Sequence, residues 1–167
     1  MTRSLILTLR LDQEHQAFFD GQREAYFPPE RNFLAAHLTL FHHLKDEPRK
    51  VEAIEALQQK TFMLEVTGMK FLGAGVAYAL ESEVLLDLRK TLANQFWDEL
   101  KPQDRQGFRP HITVQNKVSS VEARKLYETL KAGFESFQVE ALGLDLWHYH
   151  EGPWEHYRYF PFQNALK

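Results

Sequence analysis

The sequence contains no cysteine among its 167 residues. Disulfide bonds and thiolate metal ligands are therefore excluded, and a reducing compartment is compatible with the composition. The apolar run near the N-terminus, Leu5 to Leu9, is interrupted by Thr8 and is too short for a membrane span or the core of a signal peptide. We therefore expect a cytoplasmic protein without a membrane partner.

The chain also lacks an excess of positive charge. Lys and Arg number 20 against 23 Asp and Glu, a formal net charge of -3. Proteins that coat nucleic acid usually carry a strongly basic face, so we expect neither a DNA partner nor extended RNA binding. Local binding of one or two phosphates stays open. No linker or low-complexity stretch divides the chain, and we expect one domain spanning residues 1–167 and a monomer.

A four-residue motif occurs twice, as His37-Leu38-Thr39-Leu40 and, 74 residues later, as His111-Ile112-Thr113-Val114. The alternation of polar and apolar residues predicts a strand with one buried face, and His and Thr share the other face. At about 3.3 Å per residue, the two side chains stand roughly 6.6 Å apart, which is close enough to engage one phosphate-sized group. Two such strands side by side would form a pocket.

The surroundings of the motif are duplicated as well. An arginine precedes each histidine by six residues, as Arg31 and Arg105, and the segment 62–71 resembles the segment 137–146. The period is too long for a solenoid and occurs in only two copies. It indicates two similar lobes that face each other across a pseudo-twofold axis.

Periodicity and capping signals predict an α+β fold of antiparallel sheets with helices on their outer faces. Strands are predicted at residues 4–11, 36–44, 62–73, 75–81, 111–118, 137–149 and 155–162. Helices are predicted at 12–27, from Pro48 onward, from Ser82 to near Pro102, and from Ser120 to about Ala132. Residues 103–110 are predicted to form a loop that leads into the second motif.

The paired motifs, their separation and the duplicated lobe resemble the two-histidine phosphoesterase superfamily, in particular its bacterial 2′-5′ RNA ligase-like branch. The likeness extends over nearly the whole chain, and the run from Phe108 to Thr113 is close to the family's second motif. The resemblance implies two pseudo-symmetric lobes with a central cleft, to which each lobe contributes one His-x-Thr strand. It also implies that His37, Thr39, His111 and Thr113 are the catalytic residues, without a cofactor.

By the same resemblance, the expected reaction is metal-independent opening of a 2′,3′-cyclic phosphate at an RNA or nucleotide end, and 2′-5′ RNA ligation is permitted. One departure concerns the substrate. Members with this activity on RNA often carry a basic residue shortly after the second motif, whereas Gln115 and Asn116 follow it here and the first basic residue is Lys117. The resemblance therefore supports the expected reaction more strongly than it supports RNA as the substrate.

The residue types fit this chemistry. Histidine serves as acid or base near neutral pH, so two imidazoles at one phosphorus can deprotonate the nucleophile and protonate the leaving oxygen. The threonines can donate hydrogen bonds to the non-bridging oxygens. Three alternatives stay open: histidines that are only structural, a nucleotide or RNA-end binding protein without turnover, and a cyclic phosphodiesterase for a small molecule other than RNA.

Strand alternation adds candidates for substrate binding. It places Phe41 and His43 on the polar face of the first motif strand, and Gln115 and Lys117 on that of the second. Phe41 can stack on a base or pack at the cleft edge. Lys117 can attract a second phosphate or be an ordinary exposed lysine at a strand end. Arg109, two residues before His111, can reach the cleft or cap the loop.

The remaining histidines have spacings that zinc or nickel can use, as His42-His43 and as His148-x-His150 with His156. Adjacent residues on a strand point to opposite faces, and no complete ligand set is evident, so we predict no metal. The aromatic C-terminal segment is predicted to be mostly core. Trp154 and Tyr157 are its candidates for lining the cleft.

Overall fold

The structure, a computed structural model, describes residues 3–165. Its strands are β1 Ser4–Leu11, β2 Leu38–Lys45, β3 Phe62–Phe71, β4 Val76–Glu81, β5 His111–Gln115, β6 Phe137–Tyr149 and β7 Trp154–Pro161. Its α-helices are α1 Gln13–Tyr26, α2 Pro48–Glu55, α3 Glu83–Phe96, α4 Pro102–Arg105 and α5 Ser120–Ala132. Short 3₁₀ turns occupy Pro29–Arg31 and Trp97–Glu99. The predicted α+β class is confirmed.

Side-chain caps fix the starts of the longer helices. The Asp12 carboxylate accepts the backbone N–H of His15 at 3.1 Å, and the Ser82 hydroxyl accepts that of Leu85 at 3.1 Å. Helix α5 begins at Ser120 as predicted, and its cap is Ser119, whose hydroxyl accepts the N–H of Glu122. The predicted loop 103–110 begins as the short helix α4.

All strand pairs are antiparallel, and the order across the sheet is β2-β1-β6-β3-β4-β5, with β7 also paired to β6. Strand β6 is 13 residues long and joins two half-sheets. Its residues 141–149 pair with β1, whereas residues 137–141 pair with β3. The two motif strands, β2 and β5, are the end strands of this sheet, and their Cα atoms approach within 8 Å.

The order of the repeats suggested that each lobe is one continuous half of the chain. The structure shows a different arrangement, in which the halves exchange elements. The hairpin β3–β4 from the first half pairs with β5, and the hairpin β6–β7 from the second half pairs with β1. The helices follow the same exchange, since α1 packs on β5 and α4 packs on β2. Each motif strand is therefore surrounded largely by elements of the other half.

The core lies between the sheet and its helices. Helix α3 buries one apolar stripe, formed by Leu85, Leu88, Leu92, Ala93 and Phe96. Helix α1 contributes Phe19, which is fully buried and packs on Tyr78 of β4 with ring centroids 5.3 Å apart. Within residues 3–165, no helix is long and apolar enough to cross a membrane.

Candidate active site

His37 lies directly before β2, His111 is the first residue of β5, and the two side chains make the same hydrogen bond. Nδ1 of His37 is 2.8 Å from the carbonyl oxygen of Ala35, and Nδ1 of His111 is 2.9 Å from that of Arg109. A carbonyl oxygen can only accept, so Nδ1 carries the proton in each ring. The neutral imidazoles therefore keep the lone pair on Nε2, where it can take a proton from a ligand.

Both rings are easier to deprotonate than a free imidazole. Burial lowers the pKa of His37 to about 4, and the charges of Arg23, His42 and His111 also lower it. Burial likewise lowers the pKa of His111, with contributions from Lys70 and His42. The bonds to the carbonyls act in the opposite direction without cancelling these effects. His111 is also among the charges that lower the pKa of His37, so a protonated His111 disfavours the protonation of His37.

Two cavities reach the histidine pair. The first, which we call the His111 cavity, has a volume of about 520 Å³, and its lining includes Thr39, His42, Lys70, Arg109 and His111. The second, the His37 cavity, has a volume of about 620 Å³, and its lining includes Thr8, Phe33, His37, Trp147 and Trp154. Basic side chains line the His111 cavity, whereas aromatic rings line the His37 cavity.

Trp154 is part of the site, whereas Tyr157 is not. The ring centroid of Trp154 lies 4.7 Å from that of His37 and 6.0 Å from that of Trp147. Trp147 is held in turn by a hydrogen bond from its Nε1 to the Thr8 hydroxyl, at 2.9 Å. Tyr157 instead stacks on His148 with centroids 4.4 Å apart, and it lines neither cavity.

Strand β2 does not keep the alternation that the sequence predicted. Its register against β1 shifts on both sides of the pair Leu7–Phe41, so Leu40 and Phe41 both point into the core. Phe41 is 0% exposed and packs on Phe96, which excludes base stacking and leaves the packing alternative. The same shift makes His42, and not His43, the histidine that lines the His111 cavity. Two consecutive apolar residues inside the motif strand were the sequence signal for this break.

The structure contradicts the prediction for Gln115 and places Lys117 beyond the end of the strand. A register shift at Val114 turns Gln115 inward, where it is 4% exposed and its side-chain oxygen has no hydrogen-bond partner in the described part of the chain. Strand β5 ends at Gln115, and Lys117 sits in a turn with φ of 65°. Neither residue lines a cavity at the histidine pair. Thr113 stays two residues beyond His111 on β5 and is partly exposed.

Two buried arginines that sequence reasoning missed connect the motif strands to their surroundings. Arg23 of α1 donates to the carbonyl oxygen of Thr113 at 3.2 Å and to the Asn32 side chain at 3.0 Å. Arg89 of α3 donates to the carbonyl oxygens of Leu40 at 3.1 Å and Asp104 at 2.6 Å. Burial lowers the pKa of both guanidinium groups. An arginine inside the apolar stripe of an amphipathic helix was the available signal.

The other histidines are engaged in separate contacts. His148 lies 3.1 Å from Asp46, His150 lies 3.5 Å from Glu155, and His156 lies 2.8 Å from Asp145. Within residues 3–165, no group of three His, Asp or Glu side chains is arranged to hold a metal ion.

Comparison with known proteins gives one family and one set of solved structures. The model of a family described as the 2′-5′ RNA ligase superfamily matches residues 11–153. No curated protein matches the chain. Similar solved structures include E. coli LigT complexed with 3′-AMP, at 19% identity, a TM-score of 0.62, and coverage of 98% of this chain and 100% of LigT.

The protein TT0787 of Thermus thermophilus is similar at 16% identity and a TM-score of 0.66, with coverage of 96% of this chain and 98% of TT0787. A further structure of E. coli LigT, complexed with ATP, matches at 18% identity and a TM-score of 0.60, with coverage of 96% of this chain and 98% of LigT. At these identities the structural matches establish the shared fold.

Proposed function

The chain belongs to the 2′-5′ RNA ligase superfamily, whose enzymes act on phosphodiester bonds, and from this premise we propose a specific reaction. The chain opens a 2′,3′-cyclic phosphate at an RNA or nucleotide end, without a metal, and leaves a 2′-phosphate. The observation that carries the proposal is the matched pair of imidazoles. Each is fixed through Nδ1 by a carbonyl two residues earlier, and each keeps Nε2 for a ligand.

The proposed step needs one neutral and one protonated imidazole. The neutral ring takes a proton from water as the water oxygen forms a bond to phosphorus. The bond from phosphorus to O3′ breaks, and the protonated ring gives its proton to O3′. With a 5′-hydroxyl in place of water, the same step forms a 2′-5′ linkage. Thr39 and Thr113 serve as donors to the non-bridging oxygens, whose charge increases in the transition state.

The low pKa of both histidines sets a condition on this step. In the free protein at neutral pH both rings are mostly unprotonated, because burial disfavours the charged form. A bound phosphate is an anion beside the rings, and it favours the protonated form of one of them. Binding of the substrate thereby favours the protonated imidazole that serves as the acid in its cleavage.

A nucleoside is the group we assign to the His37 cavity. Trp147 and Trp154 line it together with Phe33, which is 78% exposed at its rim. Aromatic rings stack on bases of single-stranded nucleic acid irrespective of sequence. The structures of E. coli LigT with 3′-AMP and ATP support extending nucleotide binding to this chain as part of the proposal.

The test is hydrolysis of nucleoside 2′,3′-cyclic phosphates and of cyclic-phosphate-ended oligonucleotides in the presence of a chelator, with identification of the product. We expect turnover and a 2′-phosphate. Loss of turnover in chelator would contradict the metal-free mechanism. Tight binding of these ligands without any turnover would favour the non-catalytic binding protein. Turnover restricted to other cyclic phosphates would favour a small-molecule phosphodiesterase.

Variants of the four motif residues test the assigned roles. Replacing His37 or His111 with Ala should each lower kcat by about 10²–10⁴-fold, and the double replacement should cost little more, because groups that act as a unit are not additive. Thr39→Ala or Thr113→Ala should cost about 10²-fold. His150→Gln is the matched control, since His150 lies outside both cavities. Near-native rates in both His variants would show that the histidines are structural.

A further inference from the structure

The His111 cavity contains more positive charge than one reacting phosphate needs. Lys70 of β3 and Arg109 both line it, and neither lies within 4.0 Å of a carboxylate in the described part of the chain. Lys70 is close enough to His111 to lower the pKa of that ring. Cations without a protein partner at the wall of a polar cavity are suited to an anionic ligand.

A third basic side chain, His42, is held at the same wall. The buried carboxylate of Asp104, 1% exposed, accepts the backbone N–H groups of His42 and His43 at 2.8 Å each. It also contacts Nδ1 of His42 at 3.2 Å, which makes Nδ1 the donor in that pair. Nε2 of His42 is left for a ligand. Asp104 also lines the cavity, and the hydrogen bonds from these three donors offset part of its negative charge.

We propose that the His111 cavity binds a second phosphate, the one attached to the 5′ oxygen of the nucleotide whose cyclic phosphate reacts. This inference rests on the proposed function. In a nucleoside 2′,3′-cyclic phosphate, the base and the 5′ oxygen leave the ribose in different directions. With the cyclic phosphate at the histidines and the base in the His37 cavity, the His111 cavity is the place for the 5′ substituent.

Apart from Asp104, the acidic residues near these cations line a different cavity. Glu65, Glu81 and Glu83 line an adjoining cavity that shares Lys70 and Arg109 with the His111 cavity. None of the three forms an ion pair with Lys70 or Arg109 in the described part of the chain. Both cations are therefore available to turn toward a phosphate.

The second phosphate has two chemical sources, which the experiment separates. It is either the 5′-monophosphate of a mononucleotide or the phosphodiester that links the last two nucleotides of an RNA. The substrates are adenosine 2′,3′-cyclic phosphate, its 5′-phosphorylated form, and the dinucleotide that ends in the same cyclic phosphate. We expect kcat/KM for both phosphate-bearing substrates to exceed that for the nucleoside by about tenfold or more.

The variant Lys70→Gln should lower the ratio of kcat/KM for a phosphate-bearing substrate to kcat/KM for the nucleoside by about tenfold, because it removes one charged donor to the 5′ phosphate. Both kcat/KM values in this ratio are measured on the same variant. Any effect of Lys70 on His111 that changes the rate of every substrate equally therefore cancels from the ratio. Lys117→Gln is the matched control, because Lys117 lies in the turn after β5 and outside the cavity. It should leave the ratio unchanged, and thermal melting checks that both variants are folded.

A ratio near one in the wild-type protein, or a ratio that Lys70→Gln does not change, would overturn the inference. A gain confined to the dinucleotide and kept by Lys70→Gln would mean recognition of the second nucleoside, which also overturns it. If no substrate is turned over, the proposed reaction fails by itself. Calorimetric binding of adenosine 3′,5′-bisphosphate against 3′-AMP then decides the inference, with about tenfold tighter binding of the bisphosphate expected and equal binding contradicting it.

Discussion

At the scale of single residues, the ionisation of the two histidines determines when the site is competent. The pKa of His37 is about 4, and that of His111 is below its ordinary value, so the free protein holds a single proton on the pair only at acidic pH. Neighbouring charges add to the effect of burial, Arg23, His42 and His111 for His37, and Lys70 and His42 for His111.

The first prediction concerns the pH dependence of the rate. The profile of kcat/KM reports the free protein and should be bell-shaped, with both limbs below about pH 6.5. The profile of kcat reports the complex, and its alkaline limb should lie at higher pH, because the bound phosphate stabilises the imidazolium. Coincident alkaline limbs would contradict this role of the substrate. The measurement is a pH series of initial rates over a range of substrate concentrations.

The second prediction concerns stability. Burial lowers the pKa of His37 to about 4, so between about pH 4 and 6.5 the unfolded chain binds more protons than the folded one. The free energy of unfolding gained from the neutral ring is complete above about pH 6.5 and is lost as the pH falls toward 4. His37→Gln, which cannot titrate, should therefore lose less stability on acidification than the wild-type protein.

Urea unfolding at about pH 7 and about pH 4.5 measures this difference. His150→Gln provides the control, since it removes a histidine that is partly exposed at the end of β6. Equal losses in the wild-type protein and His37→Gln would contradict a lowered pKa of His37 in the folded state.

At the scale of elements, two buried arginines join helices to the motif strands of the other half. Arg23 of α1 holds β5 at Thr113 and the segment before His37 at Asn32. Arg89 of α3 holds β2 at Leu40 and the segment before His111 at Asp104. Each guanidinium thereby joins the segment that precedes one histidine to the motif strand of the other.

The third prediction is that Arg23→Lys and Arg89→Lys each impair both stability and rate. A lysine keeps the charge but cannot reach two separated acceptors from one rigid group, which leaves a buried carbonyl without its donor. We expect a loss of about 1–3 kcal/mol in unfolding free energy. We also expect kcat to fall more than in Arg124→Lys, a control on the exposed face of α5. Unchanged rates with reduced stability would limit these arginines to folding.

The sequence predicted some elements accurately and others poorly. Strand alternation and capping residues located β1, α1 and β6 closely, because these signals are local. The same alternation failed for Phe41, His43 and Gln115, because a register shift in each motif strand reverses which side chains face the cleft. Such a shift depends on the neighbouring strand, which a single-sequence pattern does not contain.

At the scale of the whole molecule, the duplication was visible in the sequence, but the exchange between its halves was not. The alternation of apolar residues predicts which faces of the strands are buried, but it does not predict which strands pair. The exchanged one pairs β1 with β6 and β4 with β5, so every half-sheet contains strands from both halves of the chain. The hydrogen bond from Arg23 of α1 to the carbonyl oxygen of Thr113 of β5, which spans 90 residues of sequence, belongs to this exchange.

The last prediction follows from that exchange. A cut between Glu81 and Ser82 falls between β4 and α3 and leaves the Ser82 cap with its helix. Alone, the fragment 1–81 keeps the pairs β1–β2 and β3–β4 but lacks β6, which joins β1 to β3, and β5, which pairs with β4. The fragment 82–167 keeps the pair β6–β7 but leaves β5 without its partner β4. We expect neither fragment to unfold cooperatively, because each exposes the apolar face that the other covers.

An equimolar mixture of the two fragments should regain the near-ultraviolet circular dichroism of the intact chain and part of its activity, since each fragment contributes one motif histidine. Cooperative folding of either fragment by itself would show that the lobes are independent and that the exchange contributes little to holding the two histidines together.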